Sequence, residues 1–135
     1  MSGETNLTKL LASMRPRLQN GIYVFASLPH AVALPSGLEP VMTFREAEGR
    51  TLILEENAAK LAGMDGLFRC RMITLDIHSS LDAVGFMAVI TNRLAAAGMG
   101  VNPVSAFYHD HLFVPADRAE EAVRILEQFA DEAGA

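Results

Sequence analysis

Ser79, Ser80 and Asp82 stand where an alternating apolar run gives way to a helical pattern, and chemistry is most readily sited there. Serine is a favoured helix N-cap, and Ser79 with Asp82 three residues on has the spacing of a capping box. A helix starting at the end of a strand presents free backbone N–H groups and the positive end of its dipole. A carboxylate or phosphate suits such a position. The ordinary role of these residues is to cap their own helix. The two roles are compatible, because capping uses only one or two of the free donors. Gly85, one turn later, costs about 1 kcal/mol against alanine inside a helix. Close approach of a ligand or another backbone, or tight packing on a sheet, would account for it.

A second polar cluster, Tyr108-His109-Asp110-His111, falls on a hairpin pattern. His109-Asp110 reads as the turn, where aspartate is favoured for its local hydrogen bonds. Asp110 or Asp76 could accept an ammonium group. His78, His109 and His111 are residue types that hold zinc. Their spacing matches no fixed ligand pattern, and a turn would break the alternation that puts two of them on one face. The expectation is therefore no metal and no cofactor. Tyr108, on the opposite face from Phe107, could cover a ligand or serve as a core residue with a wet tip. No nucleophile–base pair and no glycine-rich phosphate loop are evident, so no catalytic residue is assigned and the chain reads as a non-enzyme.

These residues need elements to position them. Leu7, Leu10, Leu11 and Met14 recur at helical spacing, and Arg15-Pro16 stops that helix. Residues 22–28 read as a strand and 29–40 as a loop. Residues 41–46 and 51–55 read as a hairpin around Ala47-Glu48-Gly49-Arg50, and 57–62 as a short helix. Residues 70–78 alternate as a strand, and a helix is expected from Leu81 to about Ala97. Residues 101–108 and 111–114 read as a second hairpin, and a final helix is expected to start at the N-cap Asp117. The order is α-β-ββ-α followed by β-α-ββ-α. The hairpins are matched by setting Phe44 against Phe107. The pattern gives an α+β fold with antiparallel sheets and helices on one face. The second half lacks only the final strand of a βαββαβ unit. The division expected is an N-terminal unit over residues 1–66 and a C-terminal unit over 67–135. Units this small bury little surface alone, so they are expected to depend on each other.

Composition narrows the function. The chain has 135 residues, half of them hydrophobic, and a net charge of −5. With no Lys/Arg cluster, it is not expected to bind nucleic acid. The lone Cys70 fits a reducing compartment and reads as a small strand residue. The N-terminal residues do not read as a signal peptide, and no apolar run reaches the roughly 18 residues of a membrane span. A cytoplasmic protein without membrane attachment is expected.

Residues 44–52, 74–85 and 108–114 together resemble a family of small bacterial proteins built from two ACT domains, and the resemblance runs from Leu7 to about Ala130. The second half is also similar to ACT modules of aspartate kinases and of cytosolic arginine sensors of animals. The resemblance implies tandem ferredoxin-like βαββαβ units that pair edge to edge, within one chain or between two, with a homodimer expected. It implies a regulatory protein that binds a small molecule, usually an amino acid, where paired units meet, and that acts on a separate protein target. The strand-to-helix loop supplies backbone contacts in such domains. Here that loop is His78, Ser79, Ser80, Leu81, Asp82, Val84 and Gly85, with Tyr108, His109 and Asp110 facing it from the hairpin. Many relatives carry a Pro-Gly pair early in that loop; Ser79-Ser80-Leu81-Asp82 stands there instead. The alternative is a protein-interaction module that assembles through its sheet edges without a ligand.

Overall fold

The structure, a computed structural model, describes residues 3–135. The elements are α1 (Leu7–Ser13), β1 (Pro16–Leu18), β2 (Tyr23–Leu28), β3 (Met42–Arg45), β4 (Arg50–Glu55), α2 (Glu56–Leu61), β5 (Leu67–Leu75), α3 (Phe86–Ala96), β6 (Asn102–Ser105), β7 (Asp110–Pro115) and α4 (Ala119–Gly134). A single 3-10 turn, Ala116–Arg118, precedes α4, so Asp117 lies inside that turn and is not the N-cap expected for the last helix.

Compactness divides the chain differently from the linear cut at 66/67. One unit is Gly21–Cys70; the other joins the residues up to Asn20 to Arg71–Ala135. The reason lies in β1, a three-residue strand that periodicity does not reveal. It pairs antiparallel with the second half of β5, Pro16 opposite Leu75 and Leu18 opposite Ile73. The strand order β1-β5-β7-β6 is then that of a complete βαββαβ unit. The final strand missing from the C-terminal half comes from the other end of the sequence. We call this unit the permuted unit, and Gly21–Cys70 the inserted unit.

The permuted unit has a core of Leu10, Met14, Ile73, Leu75, Phe86, Ile90, Leu94, Leu112, Val114 and Leu126. Helix α4 meets the sheet through the stripe that its spacing predicts, and α1 packs on α4. Helix α3 does not: spacing suggests Leu81, Val84, Ala88, Thr91, Leu94 and Ala95, but the helix opens only at Phe86 and buries Phe86, Ile90 and Leu94, leaving Leu81 and Val84 exposed. Fully burying a leucine or isoleucine contributes about 1.5–3 kcal/mol. In α4, Ala119, Ala122, Leu126 and Ala130 form the buried stripe.

The inserted unit has strand order β3-β4-β2-β5 and uses the first part of β5. Its core is smaller: Val24, Ala26, Leu28, Leu52, Leu54 and Ala59, with Leu34, Leu38 and Met64 laid over it. No helix joins β2 to β3 among the described residues; the connection is a loop with turns closed by Val32 N–H to the Pro29 carbonyl at 3.0 Å and Leu38 N–H to the Pro35 carbonyl at 3.2 Å. Phe68 lies at φ 57° where the β2–β5 register shifts, and only Tyr23 and Phe25 of β2 pair with β5.

The hairpins of the two units superimpose in register, though not by the phenylalanines. Arg45 faces Arg50 across one turn, and Ser105 faces Asp110 across the other. Both turns close the same way, Glu46 N–H to the Gly49 carbonyl at 2.8 Å and Ala106 N–H to the His109 carbonyl at 3.0 Å. Phe44 therefore corresponds to Val104, and Phe107 lies in the turn itself.

Candidate functional site

The expected helix start at Leu81 does not form. Strand β5 ends at Leu75, and residues 76–85 are an irregular loop before α3 opens at Phe86. Gly85 is the N-cap, in the left-handed region at φ 88°, with no side chain capping the helix. Ser79 and Ser80 are instead drawn into other bonds. The Ser79 hydroxyl donates to Asp110 Oδ2 at 2.9 Å. The Ser80 hydroxyl accepts the Asp82 N–H at 3.1 Å, a local turn two residues long. The Ser79/Asp82 capping box is absent because its first member has a better acceptor: a buried carboxylate.

Asp110 is only 6% exposed. It opens β7 and also receives the Ser105 hydroxyl from the end of β6. Each hydroxyl bond to a charged carboxylate is worth about 1.5–3 kcal/mol, which offsets much of the cost of burying it.

Beside Asp110 lies a cavity of about 260 Å³ lined by Ser79, Ser80, Leu81, Ala83, Gly85, Phe86, Met87, Ala88, Ser105, Ala106 and Asp110. That is roughly nine times the ~30 Å³ a water molecule occupies in the liquid. Phe86, Met87 and Ala88 are the first turn of α3, and the first bond within the helix is Val89 N–H to the Gly85 carbonyl at 3.1 Å. Their own N–H groups precede that ladder. One small cavity thus meets a carboxylate from the hairpin and the positive end of an eleven-residue helix. A zwitterion with an ammonium and a carboxylate has matching poles.

Of the residues expected from the sequence, Ser79, Ser80, Leu81, Gly85 and Asp110 line this cavity, and His78, Asp82, Val84, Tyr108 and His109 do not. Asp82, Val84 and Tyr108 are exposed. The His78 ring lies 5.5 Å from that of Tyr108 and 6.5 Å from that of Phe107. His109 donates from Nδ1 to the Ile77 carbonyl at 3.1 Å, holding loop to hairpin. Ser105, Phe86, Met87 and Ala88 escaped the sequence reading. Ser105 carries no local signal, and the amides of α3 were sought one turn too early.

The remaining titratable groups serve other ends. His111 Nδ1 lies 3.0 Å from the Thr74 hydroxyl, which receives Gln19 Nε2 at 3.0 Å. Burial, chiefly, and then the neighbouring His109 lower the His111 pKa against an upward pull from Asp110, with Arg17 adding the smallest downward push. The buried Cys70 thiol is pushed up to about 12 by desolvation. It is a core group, unreactive as a thiolate near neutrality. Among the described residues no group of three or more His, Cys, Asp or Glu is placed to hold a metal ion, and no helix is long and apolar enough to cross a membrane.

The strand order of the permuted unit defines a class, the modules of ferredoxin-like topology. Two different ACT-domain family models match the chain, one over residues 2–71 and the other over residues 67–128. The chain belongs to the ACT-domain family and carries two such domains in tandem. It is similar to a Vibrio cholerae protein of unknown function at 42% identity and TM-score 0.83, covering 96% of this chain and 99% of that one. It shares its fold with a protein of Agrobacterium tumefaciens at 21% identity and TM-score 0.71, over 87% of this chain and 89% of that one. The same fold recurs in the ligand-free regulatory subunit of aspartate kinase from Thermus thermophilus, at 11% identity and TM-score 0.63, over 88% and 97% of the two chains. No curated protein matches the chain. ACT domains are regulatory modules, not catalysts.

Proposed function

We infer that this protein binds a free amino acid in the cavity beside Asp110 and acts as a regulatory subunit for a separate protein. The observation that carries the reading is the placement of a buried carboxylate and an uncapped helix N-terminus on one cavity of about 260 Å³. The ammonium group pairs with Asp110, and the carboxylate takes the amides of Phe86, Met87 and Ala88. The cavity volume lies just below the range of about 300–1,000 Å³ typical of drug-sized ligands, which suits a smaller molecule. Phe107 and Tyr108, 61% and 63% exposed, stand near the site on the hairpin turn and offer an apolar surface to a second copy or to the regulated partner.

The test is calorimetric titration and thermal shift with the twenty amino acids. A ligand at a hundredfold excess over its Kd stabilises the folded form by about 2.7 kcal/mol. At least one amino acid should bind, while its N-acetyl and methyl ester derivatives, each lacking one pole, should not. Absence of any shift across the panel sinks the reading. Sedimentation with and without that amino acid reports whether two copies pair.

A further inference from the structure

The loop that carries the cavity is bonded on its other side by the N-terminal segment of the same chain. Glu4 N–H donates to the His78 carbonyl at 2.9 Å, and Ser80 N–H donates to the Glu4 carbonyl at 2.8 Å. The pair makes an isolated parallel bridge centred on Ser79. Ser79 is therefore held twice: its flanking backbone by Glu4, its side chain by Asp110. Contact is so close that side chains are excluded. Gly3 sits at φ +97°, and a Cβ there would fall 2.6 Å from Ser80 N and 2.7 Å from the Ser79 carbonyl carbon. The segment reaches the other pole of the cavity too, since Leu7 of α1 lies 3.7 Å from where a Cβ on Gly85 would stand. The Glu4 side chain folds back on the Thr5 N–H at 3.0 Å and pairs with Lys9 at 3.9 Å, tying the bridge to the start of α1.

We propose that residues 3–5 are a positioning latch for the ligand site, and that latch docking and ligand binding favour each other. The inference rests on the amino-acid reading above. Docked, the latch fixes the Ser79 backbone so that its hydroxyl meets Asp110, and α1 steadies the turn that starts α3. Undocked, residues 78–80 lose two backbone bonds, and the acidic pole of the cavity loses one of its two serine supports. The latch is held by few bonds, with Gly3 and Thr5 exposed, the kind of segment that opens locally at low cost. Linkage is reciprocal: the factor by which latch docking tightens ligand binding equals the factor by which ligand favours docking. A released latch would then be the signal available to a partner.

Two measurements on the full chain test this. Amide exchange at Ser80, which reads the bond to Glu4, is compared in the native protein and in Ser79→Ala without ligand. Exchange should quicken at least threefold in the variant, because the serine no longer ties the loop to Asp110; equal exchange overturns the coupling. The second measurement is affinity for the amino acid found in the panel. Gly3→Ala and Glu4→Pro should weaken binding about tenfold while circular dichroism shows the chain still folded, with Glu4→Gln matching the native affinity because the main chain does the work. Equal affinity in Gly3→Ala and the native protein overturns the latch while leaving the amino-acid reading intact. Tighter binding in Gly3→Ala overturns it as well, by making the segment a competitor. A panel with no binder overturns the amino-acid reading, and the exchange measurement then still decides whether Ser79 couples latch to carboxylate.

Discussion

The two hairpins share a register and a turn, yet they face different chemistry. Where the permuted unit has Ser105 and Asp110, the inserted unit has Arg45 and Arg50. Asp110 is buried and receives two serines; Arg50 reaches out to donate to the Val32 carbonyl at 2.7 Å, fastening the loop after β2. The strand-to-hairpin connection differs in the same sense. In the permuted unit it contains α3, whose first turn lines the cavity; in the inserted unit it is the loop of residues 29–41, with no helix end to offer amides. The inserted unit has its own larger and more open hollow, about 810 Å³, lined by Phe25, Leu28, Val32, Met64 and Leu67 among others. Size is therefore not what separates the two. A carboxylate does not separate them either, since Glu46 and Asp65 line the larger hollow. What differs is the first turn of a helix, which lines the cavity beside Asp110 and is absent from the larger hollow. A single turn geometry thus carries a buried carboxylate in one copy and a loop fastener in the other.

The largest effect should come from the helix that one unit has and the other lacks. Leu94→Ala, in the fully buried stripe of α3, should lower stability by about 2–5 kcal/mol, measured by urea denaturation. Leu34→Ala, in the loop that takes the helix's place, should cost about 1 kcal/mol, since Leu34 is only partly buried over its core. Equal costs would mean the loop packs as a helix does, and the contrast would fail. Next comes the carboxylate. Asp110→Ala leaves two serine hydroxyls without their acceptor and should cost about 1–3 kcal/mol and abolish amino-acid binding in calorimetry. Arg50→Ala, at the matching position, should leave affinity unchanged. Gly85→Ala forces a Cβ into a left-handed N-cap and should cost about 1–2 kcal/mol, with weaker ligand binding as the start of α3 shifts.

The smallest effect is a pH dependence confined to the permuted unit. The folded-state pKa of His111 lies below its unfolded value, so between the two the unfolded chain binds more protons. The stability that His111 contributes is therefore fully present above about pH 6.5 and is lost as pH falls through the window below it. The residue at the matching register position is Thr51, which does not titrate. His111→Thr should flatten the fall in melting temperature between about pH 7 and pH 5. An unchanged slope would assign the acid sensitivity to other groups.

Elements with a long period were legible in the sequence. The stripe of α4 and the alternation of β5 needed only spacing, and the three motif segments carried the ACT resemblance; the stripe of α3 was misplaced because its start was set at Leu81, five residues early. Short elements and borrowed ones were not. β1 is three residues beginning with proline, and nothing local says that Pro16 will lie opposite Leu75. The site was half legible for the same reason. Ser79-Ser80-Leu81-Asp82 has sound capping chemistry taken locally, but Asp110, thirty-one residues away, outbids the local helix for the Ser79 hydroxyl. Once Ser79 is diverted, the helix must start later, and Gly85 supplies the left-handed residue that lets it do so. The His109 and His111 rings lie edge to face with centroids 6.4 Å apart, and each is tied to β5 or to the loop that follows it, through the Ile77 carbonyl and the Thr74 hydroxyl.

The strand β1 has a consequence for the order in which the chain can acquire its structure during synthesis. Residues 3–18 leave the ribosome well before their partners, the second half of β5 and helix α4. Residues 21–70 emerge in between with every strand of their own sheet, so they can complete it while the earlier segment waits unpaired. The two contributions to the permuted unit then meet by closing a loop of more than fifty residues, Leu18 reaching Ile73, which makes that meeting the slow, non-local step. During that wait the Leu7, Leu10, Leu11 and Met14 stripe has nothing to pack on, and a neighbouring nascent chain carrying the same unfilled β5 edge is a competing acceptor for it.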